Sequence, residues 1–137
     1  MQKKYHFYFV NDSEYDQFLI TNIIELDQLP IRAQFESNPE IALQQLCKMA
    51  GTDFPDVIIA DVRLPLFDGF EFAERYREAF YYSFPNTLLF LSSSSLSVGD
   101  RQRLRCNALI ADVLLKPFSL QIFKTHIMRH LEIISVG

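Results

Sequence analysis

A chain of 137 residues, 49% hydrophobic and 22% charged, carries enough apolar material for one core of ordinary size and is too apolar to be disordered. Its net charge of −4 argues against the strongly basic face that nucleic-acid backbones reward, and no apolar run approaches the roughly 20 residues of a membrane span. The N-terminal MQKKYHFYFVND breaks at Asn11, too early for a signal-peptide core, so a soluble, cytoplasmic protein with a single domain over residues 1–137 is expected.

The first element read from the sequence is a strand at HFYFV, His6 to Val10. A helix follows, capped by Ser13 or Asp12, with Phe18, Leu19, Ile23 and Leu26 at helical spacing and Pro30 as its stop. IRAQF (Ile31 to Phe35) reads as a second strand. Asn38-Pro39 opens a second helix carrying Ile41, Leu43, Leu46 and Met49, for which Gly51 is the expected C-terminal glycine. The two cysteines, Cys47 and Cys106, lie far apart without CxxC spacing and are expected as buried free thiols.

Val57 to Asp61 reads as a buried third strand that ends on a carboxylate. A helix is expected from about Gly69 to Ala79, with Asp68 at its start and Phe80 to Phe84 packing at its end. TLLFLS (Thr87 to Ser92) gives a fourth strand, and Ser93 to Ser95 read as a polar loop. Asp100 to Arg105 forms a short arginine-rich helix, ADVLL (Ala111 to Leu115) a fifth strand, and Ser119 caps a last helix to about Ile133. In that helix Leu120, Ile122, Phe123, Ile127 and Leu131 are the apolar positions. His126 and His130 stand at i, i+4 with no third ligand, and are read as solvated. Arg101, Arg103 and Arg105 are read as solvated in the same way. Five strand–helix alternations predict a parallel sheet with helices on both faces.

Ligands of such sheets sit beyond the carboxyl ends of the strands. Those ends carry Asn11-Asp12, Asp61, Ser92-Ser93 and Lys116-Pro117. Asp12 and Asp61 have the hard oxygen donors that Mg2+ prefers, and Lys116 and a serine hydroxyl can bind an anion beside them. An aspartate with a metal alongside is a nucleophile for a phosphoryl group. On this reading Asp61 stands where the buried strand surfaces and need not itself be buried.

The pieces FVNDSEYDQFLI, DVIIADVRLPLFDGFEF, LLFLSSS and VLLKPF, with D-x-x-x-P-x-x-D-G from Asp61 to Gly69, resemble the receiver domain of bacterial two-component response regulators over essentially the whole chain. The resemblance implies a flavodoxin-like (βα)5 fold and a phosphoacceptor at Asp61. It places Ser92 and Lys116 on the phosphoryl group and makes the Lys116–Pro117 peptide bond cis. Magnesium would be held by Asp12, Asp61 and the backbone carbonyl of Arg63, with Asn11 touching it through water. The implied protein is no enzyme in the ordinary sense. It is a stand-alone receiver, monomeric or weakly dimeric, that takes its phosphoryl group from a histidine kinase or phosphotransfer protein. Output would be a protein contact through the fourth helix, fifth strand and fifth helix, with no nucleic acid or membrane involved. Two departures stand out. Asn11 replaces an acid, and Val113 replaces the aromatic residue usual three positions before the lysine. They motivate an alternative, a pseudo-receiver that binds protein without being switched. An aspartate phosphohydrolase is a weaker reading, because Arg63 stands where its second acid would be.

Overall fold

Every strand among the described residues is parallel to its neighbours, in the order β2-β1-β3-β4-β5. The computed structural model describes residues 4–131. Its strands are β1 Tyr5–Val10, β2 Ile31–Glu36, β3 Val57–Asp61, β4 Leu88–Ser93 and β5 Ile110–Leu115. The helices are α1 Glu14–Leu26, α2 Pro39–Lys48, α3 Gly69–Phe80, α4 Val98–Arg105 and α5, which begins at Leu120–Ile122 and continues as a π-helical stretch over Phe123–Met128. This is the expected α/β sheet with both faces covered. The last expected helical residues, 132 and 133, lie outside the described residues.

The pleat divides the core in two. Tyr8, Val10, Ile58, Ala60, Leu89 and Leu91 point to the face covered by α2 and α3, where Phe72 and Tyr76 are fully enclosed. Phe7, Phe9, Val57, Ile59, Phe90 and Leu114 point to the face covered by α1 and α5, against Ile20, Phe123 and Ile127. Alternation on continuous apolar strands makes both layers dry, as a doubly covered sheet requires. The helix starts follow their caps: Ser13, Asn38, Asp68, Ser97 and Ser119 each accept a backbone N–H of the first turn.

Several expectations are corrected. Phe18 and Leu26 of α1 are 65% and 82% exposed, and the buried stripe runs instead through Asp16 and Ile20. Ile41 of α2 is half-exposed, and Ala42 takes the inward place. Gly51 does not close α2, which ends at Lys48; it opens a 3-10 turn, Gly51–Asp53, in the left-handed region at φ 54°. Both cysteines are exposed and free. Helix α4 begins at Val98, two residues before the expected start, because Ser97 and Asp100 form a reciprocal capping box. Ser93 is not loop but the buried last residue of β4. Phe84, beyond α3, stacks on Phe54 with ring centroids 3.7 Å apart, whereas Tyr82 is fully in solvent.

Candidate functional site

Parallel pairing brings the strand ends to one edge. Asp61 lies opposite Ser92 in the β3–β4 ladder, and the Lys116 N–H bonds to the Ser93 carbonyl at 2.9 Å. The side chains then meet. Ser92 Oγ donates to Asp61 Oδ1, and Lys116 Nζ donates to Asp61 Oδ2 at 2.9 Å. Asp61 is only 4% exposed, so the carboxylate is buried, against the expectation that it surfaces. What makes burial tolerable is the pairing of both its oxygens.

A recess of about 180 Å³ opens over this group, lined by Asp12, Ser13, Asp61, Arg63, Ser92, Ser93, Ser94 and Lys116. Asp12 is exposed at its rim. Asn11 does not line it. The Asn11 side chain is buried, its Oδ1 accepting from the Ser13 N–H at 2.7 Å and its Nδ2 donating to Asp16 Oδ2 at 3.3 Å. Asp16 is the residue the sequence reading missed. Its Oδ2 stands 2.5 Å from Lys116 Nζ, so one ammonium serves two buried carboxylates. The signal was present: Asp16, Ile20 and Ile24 are spaced by four, which puts a carboxylate in phase with an apolar stripe.

Burial raises the Asp61 pKa above its ordinary value. The bonds from Ser92 and Lys116 oppose the shift, and the Asp16 charge adds to it. Burial pulls Lys116 down, but its bonds to Asp16 and Asp61 outweigh this and hold the ammonium above its ordinary value. Because folded Asp61 keeps its proton to higher pH than the unfolded chain, its ionisation subtracts stability as pH rises from 3.8. Without divalent cation, Asp61→Asn is therefore expected to gain stability relative to the parent as pH increases above that value. The gain levels off once folded Asp61 is fully ionised. Urea titrations of both proteins at several pH values check this, and a gap independent of pH would contradict it.

The loop after β3 is shaped by Pro65 and Gly69. The Phe67 N–H bonds back to the Pro65 carbonyl at 2.8 Å, which leaves Leu66 exposed and in the left-handed region at φ 69°. Asp68 caps α3 and is gripped from α4 by both terminal nitrogens of Arg103, at 2.6 and 3.1 Å. The same guanidinium lies 4.4 Å from the centre of the Phe70 ring. Arg103 is thus not merely solvated.

By sequence the chain matches no protein-family model and no curated protein. By structure it matches many solved chains. A two-component response regulator from Cytophaga hutchinsonii superposes with a TM-score of 0.82 at 20% identity, covering 96% of this chain and 99% of that one. A chemotaxis response regulator of Vibrio cholerae gives 0.75 at 20%, over 93% and 99%. The receiver domain of a sensor histidine kinase from Pseudomonas aeruginosa, determined with magnesium coordinated in its active-site cleft, gives 0.76 at 19%, over 94% and 98%. This chain has the receiver fold.

The Lys116–Pro117 bond is cis. Val113 is half-buried on the α2–α3 face, opposite Leu91, and Phe90 points to the other face of the sheet, so neither supplies a ring at the Val113 position. His126 pairs with Asp112 at 3.3 Å and His130 sets its ring edge-on to Phe90, so the two imidazoles do not converge. No described helix is long and apolar enough to cross a membrane.

Proposed function

We propose that this receiver fold is a phospho-accepting receiver of a two-component system, with Asp61 as the acceptor. The observation that carries the reading is the Asp61 carboxylate, held by Ser92 and Lys116 at the floor of a recess that Asp12 also lines. The donor is the phosphohistidine of a histidine kinase or phosphotransfer protein. An Asp61 oxygen attacks phosphorus, a P–O bond forms, and the P–N bond breaks with its electron pair leaving on the imidazole. Ser92 Oγ turns from Asp61 to donate to a phosphoryl oxygen, and Lys116 stands against the charge that develops there.

The donor set fits Mg2+. The Asp12 and Asp61 carboxylates and the Arg63 carbonyl are hard oxygens, and this ion needs only one or two carboxylates because it keeps its waters. When bound, the ion offsets the repulsion between the carboxylates and the incoming phosphoryl group. The magnesium in the cleft of the Pseudomonas receiver supports this reading. With Asn11 committed to Ser13 and Asp16, the first-strand contact falls to Asp12.

Phosphorylation adds nearly two negative charges at the recess, and the response leaves through protein contact on α4, β5 and α5. The setting is cytoplasmic. In the test, the protein is incubated with acetyl phosphate and magnesium, and its intact mass is measured. One acid-stable, base-labile phosphoryl group per chain is expected, and none on Asp61→Asn. Equal labelling of that variant would remove Asp61 as the acceptor. A second reading, a protein-binding module that is not switched, is favoured by Val113 and by the inward turn of Asn11. Absence of magnesium binding into the tens of millimolar would decide for it.

A further inference from the structure

The Asp16 carboxylate does not cap its own helix. The cap of α1 is Ser13, whose Oγ accepts from the Asp16 backbone N–H, and the Asp16 carboxylate takes no part in it. Yet the side chain is 9% exposed and lies on the inward stripe, where an unpaired carboxylate costs several kcal/mol. Its partners are Lys116 Nζ at 2.5 Å and the Asn11 amide at 3.3 Å, and Asn11 is itself pinned by the Ser13 N–H. The amide thus aims an Asp16 oxygen at the lysine. Asp16, Asp61 and Lys116 together carry a formal charge of −1, and Asp12 at the rim of the recess adds another negative charge.

The resting arrangement bears on transfer. Each Asp61 oxygen accepts one hydrogen bond, from Ser92 or from Lys116, which leaves it a lone pair but makes it a weaker nucleophile towards phosphorus. If Lys116 simply released Asp61, it would leave a largely enclosed ammonium without a counter-charge. Asp16 removes that obstacle.

We propose that Asp16 is a positioning residue for phosphoryl transfer, a second anchorage that holds the Lys116 ammonium while an oxygen of Asp61 is released to the phosphoryl group and the cation. The proposal rests on the receiver reading of the site. During the step, Asp61 forms its bond to phosphorus, the donor leaves with the electron pair of the broken bond, and Lys116 exchanges Asp61 Oδ2 for a phosphoryl oxygen without leaving Asp16. Asp16 gains and loses no proton. Its charge also draws the cation to the recess.

The test uses Asp16→Asn, which keeps the shape and removes the charge. Magnesium affinity is measured by calorimetry with no phosphodonor present, and the labelling rate is measured with acetyl phosphate at saturating magnesium. Both are expected to fall about tenfold, the weight of one nearby partly screened charge. Unchanged values in a parent that binds magnesium and labels would overturn the proposal and leave the receiver reading intact. A cycle of Asp16→Asn and Asp61→Asn, read by urea denaturation, covers the other case. The two effects are expected to be non-additive because both residues hold Lys116. If the parent neither binds magnesium nor labels, the receiver reading fails and the transfer role with it. Strict additivity of the cycle would overturn the shared anchorage itself.

Discussion

Lys116→Met is expected to destabilise the fold by about 3 kcal/mol at neutral pH, the usual cost of removing one partner from a buried ion pair. The lysine is 17% exposed and bonded to two carboxylates that are 9% and 5% exposed. Without it they face each other with only Ser92 and Asn11 as donors. Two consequences separate this from ordinary loss of packing. The deficit is expected to shrink as pH falls towards the ordinary carboxylate range, because protonation of Asp61 relieves the repulsion. Adding Asp61→Asn to Lys116→Met is expected to recover part of it. Urea denaturation at neutral and mildly acid pH, with chelator present, measures both. A deficit that is the same at every pH and in both backgrounds would mean that the lysine stem, not its charge, matters.

Gly69→Ala is the second large effect. A Cβ at this position would lie 2.4 Å from the Asp61 carbonyl oxygen, 3.0 Å from its carbon and 3.1 Å from Val62 Cα. All three are backbone atoms, so no side chain can swing aside. The Gly69 N–H also bonds to the Val62 carbonyl at 2.9 Å, which ties the start of α3 to the end of β3. Either the helix start or the strand end carrying Asp61 must shift. A loss of about 1–3 kcal/mol is expected, as for overpacking elsewhere, together with loss of labelling on Asp61. Gly99→Ala is the control: its nearest neighbour would be Ser97 Oγ at 3.8 Å, an ordinary contact within a helix. That variant is expected to be neutral or slightly stabilised. Equal effects at the two glycines would refute the argument from close approach.

The sheet was legible in the sequence because its strands are short apolar runs between capped helices, and Asn38, Asp68 and Ser119 announce helix starts without tertiary help. Helix faces were harder to read. With apolar residues at Phe18, Leu19, Ile20, Ile23, Ile24 and Leu26, α1 offers more than one plausible stripe, and only packing against β1 and β2 selects the one through Ile20. Asp16 was hidden for the same reason. A carboxylate in the first turn of a helix normally answers the helix dipole from solvent, and its spacing with Ile20 and Ile24 marks only one of the stripes that α1 offers, without naming a lysine one hundred residues away. The strand-end residues Asp61, Ser92 and Lys116 could be named from spacing and resemblance. The burial of Asp61 could not, because it depends on partners that only the folded sheet supplies.

The grip of Arg103 on Asp68 gives α4 a character unlike that of the other helices. Helix α4 buries no residue of its own; Leu104 alone leans on the core, and the rest of its attachment is an ion pair half open to water, laid over Phe70. Such a pair holds by no more than about 1 kcal/mol and weakens as salt screens it. The aromatic layer under α3 feels neither effect. The covering of this sheet is therefore uneven in kind. Four helices are held by apolar contact, and α4 is buttoned by charge to the very aspartate that begins α3, seven residues beyond Asp61. Added salt is therefore expected to loosen α4 before it loosens the helices held by apolar contact.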